Sequence, residues 1–216
     1  MDELTFTAGE ARLDALLLRP PGARALYVLA HGAGADMRHR FLQAVAEALA
    51  EERVATFRYQ FPYAQARRRR PDPPQMLHQT VRAAIEAGHA AAPDLPLVAG
   101  GKSMGGRMTT QAQAESPIAR VRGIALLGFP LHPAGAPSVK RAEHLAGVDV
   151  PLLFLQGTRD ELADLSLLQP IVARLLLAEL RIIDGADHSF HVLRRSGRTD
   201  ADVLRELARS IAAWVP

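Results

Sequence analysis

Leu95-Pro96-Leu97-Val98-Ala99-Gly100-Gly101-Lys102-Ser103-Met104-Gly105-Gly106 is the stretch on which the reading of this chain turns. An apolar run ends in a serine held between glycines, and an Ala- and Gln-rich segment follows to Glu115. Gly101-Lys102-Ser103-Met104-Gly105 matches the G-x-S-x-G pattern, in which a strand turns sharply into a helix and pushes the central hydroxyl outward. Gly101 and Gly105 lack the side chains that would hold strand and helix apart around a strained central residue. The helix that begins after Ser103 aims the Met104 N–H at the place where a substrate carbonyl oxygen would lie, and its dipole favours negative charge there. Gly100 to Ser103 also has the outline of the end of a phosphate-binding Gly-Lys-Ser loop. That loop needs glycine well upstream, and Asp94-Leu95-Pro96 stands there instead.

Outward from this turn, short apolar runs alternate with longer Ala-rich stretches, the pattern of βα units around a mostly parallel sheet. Strands are expected at Ala25 to Ala30, Val54 to Tyr59, Leu97 to Gly100, Gly123 to Leu127, Leu152 to Gln156 and Leu180 to Ile183. Helices are expected at Phe41 to Glu51, Gln75 to Ala91, Gly105 to Glu115, Ser138 to Leu145, Leu167 to Leu177 and Asp202 to Trp214, covering both sheet faces. Leu4 to Thr7 and Ala11 to Leu18, separated by Ala8-Gly9-Glu10, read as an antiparallel hairpin at the sheet edge. The fold class is therefore α/β: a mostly parallel central sheet with an N-terminal antiparallel hairpin, over residues 1–216 as one domain. Phe61 to Pro74, with four Arg and four Pro, is the expected mobile loop.

Bulk properties narrow the function classes. The 216 residues are 48% hydrophobic and 23% charged, within the range of a folded globular protein. A net charge of +3, with Arg scattered except at Arg67 to Arg70, does not point to nucleic acid, and the Arg run reads as a solvated face. No cysteine is present, which removes disulfides, thiolate metal sites and a Cys nucleophile. No stretch reaches the ~18 apolar residues of a spanning helix, and Met1-Asp2-Glu3-Leu4 is unlike a secretory start. The expectation is a cytoplasmic protein that does not engage the membrane.

A serine hydroxyl is a weak nucleophile at neutral pH and needs a histidine to accept its proton and a carboxylate to orient that histidine. His188, in Gly185-Ala186-Asp187-His188 just past the last expected strand, is the candidate base. His191 is the lesser candidate, better suited to lining a pocket. Asp160 stands in Gly157-Thr158-Arg159-Asp160-Glu161, the loop after the preceding strand, and is the candidate acid. Glu161, Asp164, Asp184 and Asp187 compete with it. All three candidates fall at carboxyl ends of strands, where open α/β sheets place their ligand crevices. A second oxyanion donor is expected from His31-Gly32-Ala33-Gly34 after the first parallel strand, from the N–H of Ala33 or else of Gly34, with His31 structural. Tyr59, Phe61 and His132 are candidate pocket residues alongside His191.

With those residues in view, the chain resembles the α/β-hydrolase superfamily over nearly its whole length, and within it the small, lidless, dienelactone-hydrolase-like branch. Gly100-Gly101-Lys102-Ser103-Met104-Gly105-Gly106-Arg107 together with His31-Gly32-Ala33-Gly34 is similar to bacterial hydrolases related to the testis-expressed-30 and KAT8-complex-subunit-3 proteins. The resemblance implies the α/β-hydrolase fold and a triad of Ser103, Asp160 and His188. Dienelactone hydrolases proper use Cys, so lactone hydrolysis does not carry over. Many relatives insert a helical lid where this chain has only the Pro-rich stretch and short helix of Phe129 to Val150, so no large lid is expected. The expected chemistry is cleavage of a small-molecule carboxylic ester or thioester through an acyl-serine, with no metal or cofactor. A non-catalytic scaffold, as some of those relatives suggest, and a small peptidase are the alternatives.

Overall fold

The computed structural model describes residues 1–215. Its eight strands are β1 (Asp2–Ala8), β2 (Ala11–Leu18), β3 (Ala25–Ala30), β4 (Val54–Tyr59), β5 (Leu97–Lys102), β6 (Val121–Leu127), β7 (Leu152–Gly157) and β8 (Ala178–Ile183). They form one sheet in the order β1-β2-β4-β3-β5-β6-β7-β8. β1 and β2 pair antiparallel, β2 joins β4 antiparallel, and every other pairing is parallel. This is the α/β-hydrolase fold, with the antiparallel hairpin at one edge.

Alternation along the strands divides the interior in two. In β3, Leu26, Val28 and Ala30 face a core shared with α3 (Pro74–Ala91) and α4 (Met104–Glu115). Ala25, Tyr27 and Leu29 face the other side, against α1 (Arg40–Glu51) and α6 (Asp200–Trp214). Buried on both faces, β3 and β4 carry no exposed residue; β3 reads as a continuous apolar run, whereas β4 also buries Thr56 and Arg58. The helices bury matching stripes. Leu42, Val45, Ala46 and Leu49 recur at helical spacing in α1, as do Val203, Leu207, Ala208, Ile211 and Ala212 in α6. Thr199 and Asp202 close a reciprocal capping box at the start of α6.

Several expected elements differ at their ends for local reasons. β5 runs on through Gly101 and Lys102, which still pair with Leu126 and Leu127. Ser138 to Leu145 is not an α-helix but a 3-10 helix over Lys140–Gly147, packed on α4. The helix expected over Leu167 to Leu177 is α5 (Leu165–Val172); the turns Leu175 N–H to Val172 O and Ala178 N–H to Leu175 O redirect the chain into β8. The loop expected to be mobile holds a short helix, α2 (Pro62–Gln65), and is tied down by Asp72. That carboxylate accepts from Tyr63 N at 2.7 Å and pairs with Arg68 at 2.6 Å. Between Phe129 and Val150 that 3-10 helix is the one regular element.

Candidate active site

Ser103 stands at the junction of β5 and α4 with φ 52° and ψ −117°, the left-handed region that a side-chain-bearing residue adopts only under constraint. The constraint is the close approach of strand and helix. A Cβ on Gly105 would lie 2.6 Å from the His31 carbonyl oxygen, and one on Gly101 would lie 2.5 Å from the Ala30 carbonyl oxygen. Only glycine at those two positions lets α4 sit against β3 and present the Ser103 hydroxyl beyond the strand ends.

A hydrogen-bonded chain leads away from that hydroxyl. Ser103 Oγ lies 2.9 Å from His188 Nε2, and His188 Nδ1 lies 2.7 Å from Asp160 Oδ2. His188 is held in the loop after β8 by Asp187, whose carboxylate accepts from the Ser189 and His191 N–H groups. The Asp160 side chain is only 1% exposed, against 24% for His188, so the carboxylate is shielded while the imidazole reaches the cleft. Its remaining lone pairs are filled: Leu162 N–H donates to Oδ1 at 2.8 Å and Gln156 Nε2 donates to Oδ2 at 2.5 Å. Gln156 is oriented in turn by the Phe129 N–H, which donates to its Oε1 at 2.8 Å. Nδ1 therefore carries the proton and Nε2 the free lone pair, because a carboxylate oxygen can only accept.

Gly32, Ala33 and Gly34 line the same cleft as Ser103 and His188, and Met104 is the first residue of α4. His31 is fully buried beneath this loop. Its Nε2 accepts from the Phe61 N–H at 3.2 Å, its Nδ1 lies 2.9 Å from the Gly32 carbonyl, and burial pushes its pKa down to about 4. The neutral ring thereby ties the Gly32 carbonyl to the Phe61 N–H.

The cleft has a volume of about 180 Å³ and is walled by Ala35, His39, Phe41, Leu42 and Ser189 besides the residues already named. A larger groove of about 740 Å³ lies at the amino ends of β5 and β6, between residues such as Glu86, His89 and Arg120, remote from any serine-histidine pair.

The candidate pocket residues stand elsewhere. Tyr59 at the end of β4, Phe61 just before α2 and Tyr63 within it are packed together in the core, ring against ring. His132 is buried and accepts the Asp164 N–H at 2.9 Å, which fixes the loop entering α5. His191 is exposed and pairs with Asp200 at 2.9 Å. Asp164 caps α5 through the Ser166 N–H, Asp184 bonds Thr158 and Asp187 bonds the Ser189 and His191 N–H groups, and of the five candidate carboxylates it is Asp160 that hydrogen-bonds His188. Arg67 to Arg70 do not reach the cleft.

Lys102, Gln156 and the wall formed by Phe41, Leu42 and Ser189 were not singled out from the sequence. Gln156 had a usable signal, a lone amide inside the otherwise apolar run Leu152–Gly157, which a buried strand carries only when its polar atoms are engaged.

A family model described as an alpha/beta hydrolase domain matches residues 23–216, leaving only the β1–β2 hairpin outside. Solved structures share the fold at low identity. An alpha-beta serine hydrolase homologue from Coxiella burnetii superposes with a TM-score of 0.77 at 19% identity, covering 97% of each chain. A serine hydrolase without a lid from Xanthomonas campestris gives 0.77 at 21% identity over 100% of this chain and 95% of that one. A dienelactone hydrolase from Anabaena variabilis gives 0.76 at 22% identity over 99% of this chain and 95% of its own. With the family model spanning most of its length, the chain belongs to the α/β-hydrolase domain family.

Proposed function

We propose that this protein is a serine hydrolase that cleaves a carboxylic ester or thioester through an acyl-Ser103 intermediate. The observation that carries the reading is the continuous chain from Ser103 Oγ through His188 to the buried Asp160, assembled at the carboxyl ends of β5, β7 and β8. In the reaction, Ser103 Oγ attacks the acyl carbon while Nε2 of His188 accepts the hydroxyl proton. The carbonyl oxygen becomes an oxyanion held by the Met104 N–H and by that of Ala33 or Gly34. As the tetrahedral intermediate collapses, the bond to the leaving oxygen or sulfur breaks and His188 returns its proton to that atom. Water, deprotonated by His188, then attacks the acyl carbon; as this second intermediate collapses, the bond to Ser103 Oγ breaks, His188 returns the proton to Oγ and the acid is released. Asp160 stabilises the imidazolium that forms in each half. Protein groups alone complete this sequence.

A cleft of about 180 Å³ is small beside the roughly 300–1,000 Å³ of sites for drug-sized ligands, which favours a short acyl group. The motif Gly100 to Arg107 supports closer kinship with the bacterial hydrolases named above. Labelling with a fluorophosphonate tests the nucleophile, and p-nitrophenyl esters of increasing length test the substrate class. Wild type is expected to label, Ser103→Ala is not, and turnover is expected to fall from acetyl to octanoyl esters. Equal labelling of both proteins would overturn the assignment. A labelled wild type that turned over no ester or thioester would overturn the substrate class.

A further inference from the structure

His188 Nε2 faces two donors. Ser103 Oγ stands at 2.9 Å and Lys102 Nζ at 3.2 Å, while Asp160 holds the Nδ1 proton, so one lone pair on Nε2 is all that both can share. Lys102 is the last residue of β5, immediately before the serine. Its stem runs past Gly32, and its ammonium comes to rest over Gly128 and 5.5 Å from the centre of the Phe190 ring. Phe190 is itself held at φ 62° and stacks on Phe41, so the platform beneath the cation is built with backbone strain. Among the described residues, the imidazole is the one hydrogen-bond partner of Nζ, and no carboxylate comes within ion-pair distance of it.

We propose that Lys102 is a positioning residue for the His188 base, whose proton state decides whether Nε2 is free to take the Ser103 proton. The inference rests on the nucleophile reading above. As an ammonium, Lys102 donates an N–H into the lone pair that general-base catalysis needs. It also sets a positive charge beside the imidazolium that forms when Ser103 attacks. As a neutral amine it has a lone pair of its own, which accepts the new Nε2–H of the imidazolium. The proton stays on His188 for delivery to the leaving group, and no transfer to Lys102 is needed.

The charged and titratable groups around Nζ come from each neighbouring loop: Asp160 after β7, Asp187 and His188 after β8, and His39 at the entry to α1 on the same cleft. Burial outweighs the attraction of Asp160 and Asp187 and pulls the Lys102 pKa down to about 8, so its proton is exchanged within an accessible pH range. The switch therefore acts in mildly alkaline solution.

The test follows the second-order rate of fluorophosphonate labelling of Ser103 from pH 6 to 10 in wild type, Lys102→Met and Lys102→Arg, with Lys102→Gln as a second uncharged variant should methionine impair folding. In parallel, the imidazole nitrogen resonances of His188 are recorded in the resting proteins. Wild-type labelling is expected to rise about tenfold between pH 7 and pH 9, the factor a group titrating near 8 imposes. The uncharged variants are expected to lose that rise, and Lys102→Arg, which keeps its charge, is expected to stay slow throughout. The Nε2 resonance is expected to move with pH above 7 in wild type and not in Lys102→Met. Superimposable labelling profiles in wild type and Lys102→Met, or identical Nε2 behaviour, would overturn the proposal. Failure of wild type to label at all would count against Ser103 as nucleophile instead, and the nitrogen resonances would still decide the role of Lys102.

Discussion

Replacing Asp160 by Asn changes one atom in the core of the site, and the surrounding bonds dictate how the amide must sit. Leu162 N–H needs an acceptor at Oδ1, which places the amide oxygen there and the NH2 where Oδ2 was. That NH2 then meets two former donors, His188 Nδ1 at 2.7 Å and Gln156 Nε2 at 2.5 Å. Gln156 cannot simply turn over, because its Oε1 is engaged by the Phe129 N–H. His188 can respond only by accepting at Nδ1, which moves its proton to Nε2 and removes the lone pair Ser103 requires. A tautomer error of this kind costs about 10⁴-fold in turnover, roughly 5.5 kcal/mol of transition-state stabilisation. The unsatisfied donor at Gln156 adds a stability cost of about 1–3 kcal/mol. The measurements are kcat/KM on p-nitrophenyl acetate and urea unfolding of Asp160→Asn against wild type, with Asp164→Asn as a control expected to stay within a few-fold in rate. A folded Asp160→Asn protein keeping more than a tenth of wild-type kcat/KM would refute the orienting role and reopen the choice of carboxylate.

Two further outcomes follow from packing and from burial. Gly105→Ala brings a methyl within 2.6 Å of the His31 carbonyl oxygen and 2.7 Å of Ala30 Cβ, so α4 must move off β3. An overpacking loss of about 1–3 kcal/mol in urea unfolding is expected, with at least a tenfold fall in kcat as the Met104 N–H shifts; unchanged stability and rate would contradict the close-approach argument. His31 is held near pKa 4 by burial, below its value in the unfolded chain, so unfolding takes up a proton between about pH 4 and 6.5. Stability is therefore expected to be complete above pH 6.5 and to fall by up to about 3 kcal/mol as pH drops to 4, in urea titrations where His31→Gln shows a shallower dependence. Half-buried His144, also pushed down to about 4, adds a slope of the same sign that persists in that variant.

Much of this molecule was legible in the order of its residues. Period-two and period-3.6 patterns report which face an element buries, and β3 begins and ends where its apolar run does. Gly101 and Gly105 announce the turn at Ser103 because no other residue fits where two backbones nearly touch. The chain order of Ser103, Asp160 and His188 was readable because strand ends in such a sheet gather on one edge, and the structure brings the three side chains into one hydrogen-bonded line. Tyr59 and Phe61 show the limit. An aromatic residue at a strand end reads the same whether it turns to the cleft or to the core, and only tertiary packing sends both inward. The meeting of Lys102 with His188, 86 residues apart, leaves no local trace either. A lysine beside a serine is an ordinary surface pair in sequence, and it becomes a half-buried cation facing His188 only once β5, β7 and β8 converge. Sequence by itself therefore determined most of the elements and the candidates Ser103, Asp160 and His188, because both depend on neighbours in the chain. Tertiary structure decided the shape of the cleft and the electrostatic setting of Ser103, because those depend on atoms that only folding brings within a few ångströms.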